Sequence, residues 1–198
     1  MRQPLVEQRS QLRALTVDLE LILPVRNGED GVREQLAAAT TWLLALGVAA
    51  GVAVVDRGSS DRTVEAVDEF AAQTLVPVRI LGCSASGWGA AALRGVRTSR
   101  ARFVVFTETP DLADRIRELD HAVRVLDSGQ HIVCLGPAGR RLTVLQRGVA
   151  ELLFSDELPD DAGFVPRLRD IPRYAGIRMA AHGSSRATAV DATLVRSR

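Results

Sequence analysis

Apolar residues come in blocks along the chain, and the spacing inside each block changes from one block to the next. Residues 17–24, VDLELILP, alternate and then turn wholly apolar before a proline, which predicts a strand running into a loop. That loop is VRNGEDG. Val32, Leu36, Ala39, Leu43 and Leu46 then recur every three or four positions and predict a helix over 30–47, stopped by Gly47. GVAVVD at 51–56 is short and apolar and ends in an acid, a second strand. RGSSD follows as a turn rich in helix-capping residues, and Val64, Val67 and Ala71 lie on one face of a helix over 61–73. VPVRILG at 76–82 reads as a third strand, CSASGWG as a small-residue loop, and 89–98 as the next helix.

The second half continues the alternation. RFVVFT at 102–107 is short enough for a central strand, and Leu112, Ile116, Leu119, Val123 and Leu126 mark a helix. HIVCL at 131–135 is a fifth strand. Leu142, Leu145, Val149 and Leu152 repeat at helical spacing and predict a helix over 139–154. An acidic loop, SDELPDDAG, follows; then 176–181 reads as a short strand and 183–190 as a helix. Strands alternating with helices of these lengths imply an α/β domain, a mostly parallel sheet with helices on both faces. In such sheets ligands bind outside the carboxyl ends of the strands. The residues to watch are therefore 24–29, 56–60, 82–89 and 107–111. Residues 1–16 are polar and basic and read as a flexible lead-in, which leaves 17–198 as the single domain.

Composition narrows the function. The chain has 198 residues, the size of one domain, and its 25 basic residues nearly balance 24 acidic ones for a net charge of +1. Nothing in that balance suits a nucleic acid or an anionic membrane as partner. Every basic residue is Arg, so Schiff-base and P-loop lysine chemistry are excluded. Cys83 and Cys134 end apolar runs without a CxxC partner, and we expect buried, reduced thiols. His121, His131 and His182 are too scattered for an HExxH-type zinc site. The N-terminus has no apolar h-region and no run is long enough to span a bilayer, so the expectation is a cytoplasmic protein.

Four segments in order carry a resemblance: PVRNGED after the first strand, VVDRGSSDRT after the second, SGWGAAALRG into the third helix, and RFVVFTETPDL after the fourth strand. Together they resemble a family 2 glycosyltransferase of the GT-A (Rossmann-like) fold, in particular the polyprenyl- and dolichyl-phosphate glycosyltransferases. More loosely, LPDDAGF is similar to the family's acidic loop ending in Gly-Phe, and HGSSR to its basic turn. The resemblance implies an inverting transfer of a sugar from a UDP- or GDP-linked donor to a hydroxyl. It places Pro24, Arg26, Asn27, Glu29, Asp56, Arg57, Gly87, Trp88, Arg94 and Arg186 around the donor, with Asp56 meeting the base or ribose. It places Asp160 or Asp161 on the acceptor side as the base that deprotonates the hydroxyl. A divalent cation, Mg²⁺ or Mn²⁺, would be held by a D-x-D and would neutralise the leaving diphosphate.

The chain departs from this pattern where the donor would sit. The second acid of the VVDDGS-type motif is Arg57, and the D-x-D register falls on Glu108, Thr109 and Pro110, with Asp111 one residue late. Glu108 and Asp111 are thus the weak remaining candidates for a metal. The aromatic of the first loop is Arg26, and the basic residue expected between two glycines is Trp88. Two readings stay open. In one, arginine replaces the metal at the diphosphate, as its bidentate fork allows. In the other, catalysis is lost and the domain serves as a binding or regulatory partner of another protein. A dinucleotide fingerprint is imitated by Gly87, Gly89 and Ala92, but CSAS separates those glycines from their strand, and they open the third crossover rather than the first.

Overall fold

A computed structural model of the protein describes residues 17–84, 87–107, 116–135, 142–153, 179–183 and 186–187, with side-chain surroundings as far as Ala150. Its elements in chain order are β1 (Leu19–Val25), α1 (Val32–Ala45), β2 (Ala50–Asp56), α2 (Thr63–Ala71), β3 (Val78–Gly82), α3 (Trp88–Thr98) and β4 (Phe103–Thr107), followed by α4 (Ile116–Asp127), β5 (Ile132–Leu135), β6 (Leu142–Gln146), α5 (Arg147–Leu153), β7 (Met179–Gly183) and β8 (Arg186–Ala187). The strands form one sheet in the order β3-β2-β1-β4-β6-β5-β7-β8. β1 pairs in parallel with both β2 and β4, β2 with β3, and β5 with β7. β6 runs antiparallel between β4 and β5, and β8 turns back on β7. Six strands therefore share one direction, and the expected mostly parallel α/β sheet is present.

Two apolar layers cover the sheet. On one face Leu19, Leu21 and Leu23 of β1 and Val52 and Val54 of β2 pack with Leu36, Trp42 and Leu43 of α1, Val67 of α2, and Leu119 and Leu126 of α4. On the other, Ile22, Ala53, Val55, Val104 and Phe106 pack with Ala91, Ala92 and Val96 of α3 and Val149 and Ala150 of α5. Successive residues of β1 and β2 thus divide between the layers, the period of two that a strand imposes. α1 buries Val32, Leu36, Ala39, Trp42 and Leu43, a single stripe at helical spacing, and its one buried hydroxyl, Thr40 Oγ1, donates to the Leu36 carbonyl at 2.8 Å. α3 approaches the sheet so closely that a Cβ on Gly95 would lie 2.5 Å from Ile22 Cγ2.

Two sequence expectations are corrected. The helix over 139–154 is a strand followed by a short helix: Leu142–Gln146 is β6, and only Arg147–Leu153 is helical. Leu142, Thr143, Val144 and Leu145 are all buried, because β6 is flanked by β4 and β5 in the middle of the sheet. The helix over 183–190 is also wrong at its start, since β7 runs through Gly183 and Arg186–Ala187 pairs back on it as β8. The two cysteines form no disulfide; Cys134 is buried as expected and Cys83 only half-buried.

Candidate functional site

The parallel register sets which loops meet. Val25 at the end of β1 pairs with Asp56 at the end of β2, and Asp56 in turn with Gly82 at the end of β3. The loops that follow these strands leave the sheet along one edge. Thr107 ends β4, which runs parallel beside β1 toward the same edge. Gly183 and Arg186 pair at the far end of β7, so the Arg186 backbone also lies on this edge, separated from β4 by β6, β5 and β7.

The first two loops are clasped together by side chains. Asn27 adopts a left-handed backbone, φ 48°, which Asn tolerates better than most residues. Its backbone N–H donates to Ser59 Oγ at 2.8 Å, and its Oδ1 accepts from the Ser60 N–H at 2.9 Å. The Gly28 N–H donates to Thr63 Oγ1 at 2.8 Å. The exchange is reciprocal at Glu29: its N–H donates to Asp61 Oδ2 at 3.1 Å, and its own Oε2 accepts from the Arg62 N–H at 3.1 Å. The Thr63 hydroxyl and N–H both donate to Asp61 Oδ1. The Thr63 hydroxyl, with the backbone N–H groups of Glu29 and Thr63, holds the Asp61 carboxyl below its ordinary value of 3.8.

Asp56 stands at the centre of this edge. It is only 9% exposed, and its Oδ1 accepts from Ser59 Oγ at 2.5 Å and from the Ser59 N–H at 3.2 Å. Its carbonyl accepts from the Cys83 N–H at 2.8 Å, which ties the third loop to the second. The Arg57 N–H donates to the Val25 carbonyl at 2.9 Å. The Arg57 side chain is different: its Nε is buried and has no hydrogen-bond partner among the described residues. A buried N–H of a guanidinium without an acceptor is costly, and it marks a place where an anion would be stabilised.

The other residues expected around the donor divide. Gly87 caps α3 at φ 99° and ψ 155°, a backbone open essentially to glycine alone. Trp88 packs against Phe106 of β4, ring centroids 5.8 Å apart at 59°, and so fastens the start of α3 to the strand that ends at Thr107. Pro24 is half-buried within β1, paired with Val55. Arg26 is exposed at the edge itself. Arg94 is exposed on α3, about 9 Å along the helix from Trp88 at 1.5 Å per residue. Glu108, Asp111, Asp160 and Asp161 lie outside the described residues, and of Arg186 only the backbone is described. Asn27 and Glu29, expected at the donor, each also bind the neighbouring loop through one side-chain oxygen. Sequence reasoning passed over Ser59, Asp61 and Thr63, whose signal was the capping chemistry of SSDRT.

Among the described residues no three His, Cys, Asp or Glu side chains stand together to hold a cation. Asp56 directs its carboxylate to Ser59, and the residue after it brings a guanidinium where a cation site would need a second carboxylate.

Comparison with known proteins bears on this edge. The profile of Glycosyl transferase family 2 matches residues 21–183. No curated protein matches the chain. Among solved structures, the mannosyltransferase PcManGT from Pyrobaculum calidifontis, in complex with GDP-Man and Mn²⁺, superposes with a TM-score of 0.64 at 20% identity, over 86% of this chain and 56% of that one. Glucosyl-3-phosphoglycerate synthase from Mycobacterium tuberculosis, in complex with Mn²⁺, UDP and glucosyl-3-phosphoglycerate, gives 0.57 at 15% identity, over 92% of this chain and 76% of that one. S. aureus TarS 1–349 gives 0.52 at 14% identity, over 73% and 51%. The chain thus spans about half the length of TarS 1–349 and of the mannosyltransferase. At these identities the likeness is one of fold, the GT-A arrangement of sheet and helices. The profile covers well over half of the sequence, and the chain belongs to glycosyl transferase family 2.

Proposed function

We propose that the protein binds a nucleotide-diphospho-sugar at the edge formed by the loops after β1, β2 and β3 and transfers the sugar to a hydroxyl acceptor. We further propose that arginine, not a metal ion, meets the donor's diphosphate. The observation that carries this is the buried Nε of Arg57, which has no hydrogen-bond partner among the described residues, one residue beyond Asp56 at the end of β2. A guanidinium there supplies a fixed positive charge and a fork of donors matched to phosphate oxygens. Asp56 is placed to accept hydrogen bonds from base or ribose, with the Ser59 contact holding its carboxylate in position. The clasp between residues 27–29 and 59–63 keeps the rim of the site rigid before the donor arrives.

In the transfer, the acceptor oxygen forms a bond to the anomeric carbon as the bond from that carbon to the diphosphate breaks. The nucleoside diphosphate leaves with the bonding electron pair, and its developing charge falls to Arg57, with Arg26 beside it and Arg186 farther along the edge. The acceptor proton passes to a carboxylate, for which Asp160 or Asp161 is our choice. Two cysteines outside any disulfide accord with a reducing, cytoplasmic setting. Relatives hold GDP-Man or UDP, so both donor series belong in the test. The protein is incubated in EDTA with UDP- and GDP-sugars and a hydroxyl acceptor, and release of nucleoside diphosphate is followed. Turnover in EDTA that falls sharply in Asp161→Ala or Asp160→Ala is expected. Nucleotide binding without turnover of any donor would favour a binding partner without catalysis.

A further inference from the structure

The chain has a single asparagine, Asn27, and a glycine follows it. Asparagine is among the thermally labile residues, and a following glycine puts no Cβ in the way of its own backbone nitrogen. That nitrogen is the nucleophile in asparagine's self-modification. The Gly28 nitrogen loses its proton to a base in solution and bonds to Asn27 Cγ. The side-chain nitrogen takes up a proton and leaves as ammonia, and a succinimide ring remains. Water then opens the ring at either of its carbonyls, which leaves an aspartate or an isoaspartate at position 27. Asn27 is exposed just beyond the end of β1, so water reaches it.

In the fold each group that this reaction needs is engaged elsewhere. The Gly28 N–H donates to Thr63 Oγ1 at 2.8 Å, and Thr63 is fully buried. The Thr63 hydroxyl proton is turned to Asp61 Oδ1, which leaves the oxygen's lone pairs for Gly28. Asn27 Oδ1 accepts from the Ser60 N–H at 2.9 Å, which draws the side chain toward the second loop. The Asn27 N–H is held by Ser59 Oγ at 2.8 Å, with the backbone at φ 48°. Ring closure must turn the backbone and the side chain of Asn27 together, and that breaks these bonds. We propose that Asn27 is a modification site, deamidated through the Gly28 nitrogen when the clasp opens and held back by the Thr63 and Ser60 contacts while it is closed. An isoaspartate lengthens the main chain by a methylene group and takes the Gly28 N–H away from Thr63. Either product adds a negative charge at the rim, which weakens binding of an anionic donor. That last consequence rests on the proposed donor site; the modification does not.

The test is incubation in mildly alkaline buffer, with intact mass and isoaspartate at position 27 followed over time by peptide mapping. With one asparagine in the chain, an amide-to-acid mass shift has one asparagine to come from. Wild-type is compared folded and in urea, beside Thr63→Val, which removes the hydroxyl, and Thr63→Ser, which keeps it. We expect conversion at least about tenfold slower in folded wild-type than in urea, about tenfold faster in folded Thr63→Val, and at the wild-type rate in Thr63→Ser. For a Thr63→Val chain that does not fold, Ser59→Ala takes its place; it releases the Asn27 N–H and is expected to speed conversion as well. Conversion as fast in folded wild-type as in urea, or no faster in the folded clasp variant than in wild-type, would overturn the proposal. UDP and GDP titrations of fresh and converted protein test the consequence separately: if neither nucleotide binds fresh protein, the donor reading falls and the modification stands on the mapping.

Discussion

At Arg57 one side chain changes what the whole edge can hold. Its neighbour Asp56 is satisfied by Ser59, whereas the Arg57 Nε is buried and unsatisfied among the described residues. That asymmetry was half legible in the sequence: an Arg where the resembled VVDDGS-type motif has an acid is visible, but whether it is solvated or buried depends on the loops around it. Asn27 and Glu29 show the opposite case. Their partners lie 32 or 33 residues away, across a strand and a helix, so no local pattern could reveal that their side chains serve the neighbouring loop. Asp61 carries a pH prediction. Because its carboxyl is held below 3.8 in the fold, the unfolded chain takes up this proton first as pH falls. Its contribution to stability is complete above that value and is lost as pH drops through the lower folded value. Urea melts carried from above to below pH 3.8 should show less acid loss in Asp61→Asn than in wild-type; equal slopes would mean the clasp does not hold Asp61 in solution.

Among the elements, two close fits carry the layered packing. Gly95 faces Ile22 with no room for a methyl group, 2.5 Å to Cγ2 and 3.1 Å to Cδ1. Gly95→Ala should gain about 1 kcal/mol in helix propensity and lose about 1–3 kcal/mol to overpacking, so thermal melts should show a net loss. Adding Ile22→Ala should recover part of the overpacking term. The second fit is a charge buried in β1. Glu20 is 5% exposed and takes two hydrogen bonds from Arg79 of β3, at 2.7 and 2.8 Å, while Arg79 also reaches Thr98 at the end of α3 at 3.0 Å. Glu20→Ala leaves that guanidinium unpaired and should cost about 3 kcal/mol in denaturant melts, the low end for a buried pair because the Arg79 side chain keeps 33% of its surface. β6 explains the one large misreading. Leu142, Leu145, Val149 and Leu152 fall at helical spacing only because a fully buried strand happens to run into a helix. A strand covered on both faces shows no alternation, so its period is invisible in the sequence.

The molecule as a whole was more legible than its parts. The order of strands and helices through β5 follows from periodicity, and parallel crossovers then place the loops after β1, β2 and β4 along one edge. What the order could not give is the antiparallel insertion of β6, which moves β5 and β7 outward and sets the Arg186 turn three strands away from β4. The central claim is that the clasped loop edge binds a nucleoside diphosphate through Arg57 without a metal. Calorimetric titration with UDP and GDP, in EDTA and again in Mn²⁺, tests it most directly. The account predicts binding of one of them with the same affinity in both buffers, and about 10- to 100-fold weaker binding in Arg57→Ala, as the loss of a charge-assisted hydrogen bond implies. Binding that requires Mn²⁺, or that survives Arg57→Ala unchanged, would contradict it.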